Sequence, residues 1–133
     1  NLVAPEQYRE HLLPFDCRMG EAFGCIGIHN CAWTADPYLD AYAEVPYVAY
    51  IDMGLHSDLK RARQLFPKAR RALMYTPTDL ANKPFEDIKA DLVRIAEEYG
   101  PCDLVAADIE AGTPDDRVKA VLDCCAEISA AMS

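Results

Sequence analysis

The sequence predicts an α/β fold, a parallel sheet covered by helices. Three observations predict it. Four short runs at residues 25–31, 47–52, 72–75 and 102–108 are largely apolar, the second rich in aromatic and β-branched residues, the pattern of buried strands. Segments between and after them repeat apolar residues at steps of three and four, the spacing of helices. Strand starts lie about 22 to 30 residues apart, close to the length of a strand-helix-strand repeat.

The first helical segment spans residues 5–24, with Tyr8, Leu12, Phe15, Met19, Ala22 and Phe23 predicted as its core face. Pro5 suits a first turn, Pro14 predicts a kink or restart, and Gly24 ends the segment. The first strand closes on His29-Asn30-Cys31. Thr34-Ala35-Asp36-Pro37 then reads as a helix start, with Asp36 as N-cap and a short helix to about Ala43. Pro46 precedes the second strand, which ends at Asp52. Met53-Gly54 turns the chain, and Ser57 or Asp58 opens a helix that Pro67 stops. The basic clusters Lys60-Arg61-Ala62-Arg63 and Lys68-Ala69-Arg70-Arg71 read as solvated helix faces.

After the third strand, Thr76-Pro77-Thr78-Asp79 reads as a loop. Phe85, Ile88, Leu92, Ile95 and Tyr99 form the cleanest helical stripe, which Gly100-Pro101 closes. Beyond the fourth strand, Thr113 as N-cap and Pro114 at the first position predict the last helix. Its expected buried stripe is Val118, Val121, Leu122, Cys125, Ile128 and Met132.

The chain has 133 residues, enough for one domain with a core. A formal net charge of -9 argues against nucleic acid or an anionic membrane as partner. Apolar runs are too short to span a bilayer, and no signal peptide is visible. The six cysteines show no disulfide spacing and mostly sit in apolar runs, which predicts a reducing, cytoplasmic setting. Of the adjacent Cys124 and Cys125, one is expected in the core and the other at the surface. No glycine-rich phosphate loop follows any strand, which lowers the expectation of a nucleotide fold. The start at Asn1, inside a helix-rich passage, reads as a piece of something longer.

Chemistry in parallel sheets gathers at the carboxyl ends of strands. Those ends carry His29 and Cys31, Asp52 and Met53, Tyr75 and Thr76, and Asp108 and Glu110; the amino ends show nothing comparable. Alternation puts His29 and Cys31 on one side of the chain, an imidazole beside a thiolate, which is half of a zinc site. Asp52 is a candidate pocket acid or a structural hydrogen-bond acceptor, and Tyr75 a candidate catalytic phenol or a packing residue. His11 and His56 are read as surface residues.

Five segments, in order, carry a resemblance. They are Pro14-Phe15-Asp16, Gly27-Ile28-His29-Asn30-Cys31, Tyr50-Ile51-Asp52, Asp58-Leu59-Lys60-Arg61-Ala62, and Thr113-Pro114-Asp115-Asp116-Arg117-Val118-Lys119-Ala120. Together they resemble the uroporphyrinogen decarboxylase superfamily, which includes corrinoid-dependent methyltransferases, over nearly the whole chain. The resemblance implies a TIM-like (β/α)8 barrel, of which residues 1–133 would be the C-terminal half, a single (β/α) half-barrel domain. The missing N-terminal half, or a second copy, would then complete it. In the methyltransferase branch the resemblance implies zinc held by His29 and Cys31, with a corrinoid or thiol as methyl partner. The stretch equivalent to that branch's third cysteine is Ala107-Asp108-Ile109-Glu110, so Asp108 or Glu110 is the candidate third ligand. In the decarboxylase branch it implies a metal-free tetrapyrrole lyase whose arginine set lies outside this chain. A reading from another class is a catalytically silent fragment that assembles with a partner half.

Overall fold

The computed structural model describes residues 3–132. Helix α1 (Pro5–Gln7) runs through a π-helical turn (Tyr8–Leu12) into α2 (Leu13–Phe23). Strand β1 (Ile26–His29) follows, then a 3-10 turn (Asp36–Tyr38), α3 (Leu39–Ala43) and β2 (Val48–Gly54). Next come α4 (Leu59–Leu65), β3 (Arg70–Met74), α5 (Pro77–Asn82), α6 (Phe85–Tyr99), β4 (Asp103–Val105) and α7 (Asp115–Ala131).

The four strands form one all-parallel sheet in the order β1-β2-β3-β4. Right-handed crossovers that never reverse direction stack their helices on one face. Burial agrees with this. Ile28, Ile51, Met53 and Leu73 face the helices and belong to the core, whereas Gly27, His29 and Arg70 on the other face are exposed. That open face is polar: Tyr50 stands in register with Arg70, His29 with Asp52, and Ala72 with Asp103. Arg70 Nε lies 2.5 Å from Asp103 Oδ2 across it.

Local chemistry explains the elements. Pro14 has no N–H to offer, and the chain widens into the π turn just ahead of it; Leu13 N–H reaches Tyr8 O, and the α-helix restarts. Gly24 closes α2 at φ 64°, a left-handed conformation suited to glycine. Asp58 caps α4, its carboxylate accepting from Arg61 N at 3.0 Å. In α6 the predicted stripe holds, with Ile88, Leu92, Ile95 and Tyr99 buried.

Several expectations need correction. The α2 stripe is not a core face here: Leu12, Phe15, Met19 and Phe23 are 44%, 58%, 45% and 79% exposed. The helix turns Leu13 and Gly20 inward instead, while Tyr8 ahead of it packs on Tyr38 and Tyr42. In α7, Leu122 and Met132 are exposed, and Cys124 is the inward thiol. Residues 77–82 are helix α5 rather than loop, since Pro77 sits at its start and Asp79 in its first turn. Thr113 does not cap α7; its hydroxyl is buried without a partner among the described residues. The fourth strand is three residues long, shorter than the apolar run.

Arg70 and Arg71 lie in β3, not on a helix face. Arg71 is buried and donates to Phe66 O at 3.0 Å, Tyr99 O at 3.2 Å and Pro101 O at 3.2 Å. Phe66 and Tyr99 are the C-terminal ends of α4 and α6, where the helix dipole is negative and carbonyls lack intrahelical donors. The guanidinium thus satisfies the ends of two helices at once.

Candidate functional site

Strand register builds the site. His29 at the end of β1 is paired with Asp52 on β2, so their side chains share the open face. Tyr50, two residues before Asp52, shares it as well. His29 Nδ1 lies 2.7 Å from Asp52 Oδ1 and 3.0 Å from Oδ2. Asn30 N–H donates to Oδ1 at 3.2 Å, and Tyr50 O–H donates to Oδ2 at 3.0 Å. A carboxylate only accepts, which places an imidazole proton on Nδ1 and turns Nε2 away from Asp52. The Asp52 side chain is 9% exposed and that of His29 58%, so a buried anion anchors a half-open imidazole. Burial and the bond to Asp52 push the Tyr50 phenol above its ordinary pKa, keeping it a neutral donor.

Burial keeps alternating past the strand end: His29 and Cys31 are exposed, and Asn30 between them is buried, its amide donating to Tyr42 Oη at 2.9 Å. Cys31 lines a separate pocket of about 200 Å³ with Trp33, Gly54, His56, Met74 and Thr76. Loop-to-loop bonds fix this rim. Ala35 N–H donates to Ser57 Oγ at 3.0 Å, and Asp58 N–H donates to Asp36 Oδ1 at 2.7 Å. At Gly54 a Cβ would lie 2.4 Å from Ala32 O and 2.9 Å from Trp33 O, so only glycine lets the loop sit this close.

Tyr75 points to the helix side. Its hydroxyl donates to Asp91 Oδ2 at 2.8 Å, the same oxygen that takes Lys83 Nζ at 2.6 Å. Burial first, then Asp91, raise the phenol far above its usual range. Its hydroxyl is thus engaged with Asp91, and Tyr75 is one of the residues lining the pocket. Asp108 and Glu110 are exposed in the loop after β4. The sheet order puts β1 and β4 on opposite edges. Three strand spacings amount to about 14 Å along the sheet. The structure therefore does not bring Asp108 or Glu110 to His29 and Cys31. Among the described residues no group of three or more His, Cys, Asp or Glu side chains could hold a metal ion.

Three groups here were not anticipated from sequence: Tyr50 and Asn30 as partners of Asp52, and His56 beside Trp33. The spacing of Tyr50 and Asp52, two residues apart on one strand, carries the signal for the first; nothing local signals the others. The chain matches no protein-family model and no curated protein.

Proposed function

We propose that this chain is the C-terminal half of a (β/α)8 enzyme of the uroporphyrinogen decarboxylase superfamily, most like its metal-dependent methyl-transfer branch, with His29 as its reactive group. One observation carries the proposal: a buried carboxylate holds an imidazole at the carboxyl edge of a parallel sheet, its Nε2 turned to the open face. This pairing serves a histidine that ligates a metal and one that moves a proton. Asp52 is then a positioning residue, since it acts through His29. Cys31 is a neighbouring soft donor. Two donors fall short of the three or four that zinc takes, so the reading rests on His29 and Asp52, not on the metal. The polar open face fits a surface that a second half covers, with a small-molecule substrate and a corrinoid or thiol partner meeting it at the rim.

The test is methyl transfer from methylcobalamin to a small thiol, followed by absorbance, in the protein assembled with its N-terminal half. His29→Ala is expected to abolish it. Asp52→Asn is expected to lower it about 10- to 100-fold, the size of a lost supporting bond. Uroporphyrinogen decarboxylation without methyl transfer would overturn the branch assignment. Inactivity in both assays would overturn the enzyme reading and leave a silent, assembling fragment.

A further inference from the structure

Trp33 is the chain's one tryptophan, and it is 71% exposed. An exposed indole is unusual, because its large apolar surface is normally covered. It is not loose at the backbone: Gly54 abuts the carbonyls of Ala32 and Trp33, and the loop is tied down at Ala35 and Asp36. Its ring lies 5.3 Å from the His56 imidazole with a 36° tilt, and most of the indole surface stays exposed. The adjoining pocket, about 200 Å³, is lined also by Cys31 and Met74, two sulfur-bearing residues.

The composition of this wall limits its ligand. The volume is below the roughly 300–1,000 Å³ of a drug-sized site, so the ligand is small. Neither Lys nor Arg lines it, and the chain carries a net charge of -9, which disfavours an anion. It offers the face of an indole, the ring most attractive to a cation, together with polarizable sulfur. A poorly hydrated cation, one whose charge is spread over methyl groups, matches such a wall best. We propose that Trp33 and His56 form a subsite for a methylated onium group, such as a quaternary ammonium. This names a ligand class for the rim of the proposed enzyme and rests on that reading only for its functional meaning.

The probe is choline, compared with its uncharged carbon isostere 3,3-dimethyl-1-butanol at constant ionic strength, with Trp33 fluorescence as readout. Choline is expected to change the emission saturably, and the isostere to bind about ten-fold more weakly. By calorimetry, Trp33→Leu is expected to abolish binding and Trp33→Phe to retain part of it; His56→Ala should weaken it several-fold. Equal binding of both probes would overturn the proposal in favour of a merely apolar pocket. Absence of saturation, or unchanged binding in Trp33→Leu, would overturn it outright. Choline binding should survive His29→Ala. Loss of methyl transfer with choline binding intact, or the reverse, therefore tells the failure of one reading from that of the other.

Discussion

At the scale of single residues, environment separates groups that composition cannot. Six thiols share one chemistry, yet Cys25 and Cys31 are exposed, Cys124 is buried, and Cys102 and Cys125 are part-buried. Burial, the largest cause, raises the thiol pKa of Cys102 and of Cys125. A raised thiol pKa means less thiolate at a given pH, and the thiolate is what alkylates. Iodoacetamide at neutral pH is therefore expected to modify Cys25 and Cys31 first. Labelling of Cys102 and Cys125 should lag and rise only as the pH is taken well above 9, as read by peptide mass spectrometry. Uniform labelling at neutral pH would contradict this burial pattern. Asp52 and Arg71 show the same dependence on surroundings. Both are buried charges, one answered by three donors and the other by three carbonyls.

At the scale of elements, the site is a meeting of two strand ends and two loops. β1 supplies His29, β2 supplies Tyr50 and Asp52, and the end of β2 is the floor on which residues 32 and 33 rest. Gly54→Ala is expected to push this loop away, since the backbone carbonyls it would meet at 2.4 and 2.9 Å cannot both yield in place. The expected loss is about 1–3 kcal/mol of stability, typical of overpacking. A shift of Trp33 emission should accompany it. An unchanged spectrum and melting temperature would show that the loop does not lean on β2. α5 teaches a related point: a proline start makes a six-residue helix where turn-forming residues read as a loop.

At the scale of the whole molecule, the sheet among the described residues has two open edges and an uncovered polar face, and large apolar side chains line α2. Phe15 and Phe23 are 58% and 79% exposed, so Phe15→Glu and Phe23→Glu should leave the stability of the isolated chain within about 0.5 kcal/mol. Leu92→Ala, in the core at 4% exposure, should cost about 2–5 kcal/mol. Urea titrations of the three variants compare them directly; a large loss from the phenylalanine changes would mean that α2 packs in a way the structure does not have. By itself the sequence determined the order of the strands and of every helix but α5, the α6 stripe, the Gly24 helix end, a helix start at Ser57 or Asp58, and the polar carboxyl edge. Each depends on local periodicity or on the backbone habits of one residue. Only the tertiary structure decided which face of α2 is covered, that Arg71 goes inward, that Tyr75 turns to Asp91, and that Asp52 holds His29 while Asp108 and Glu110 stay at the far edge. Those outcomes depend on which strands become neighbours and in what register, and a spacing along the chain does not encode a distance across a sheet.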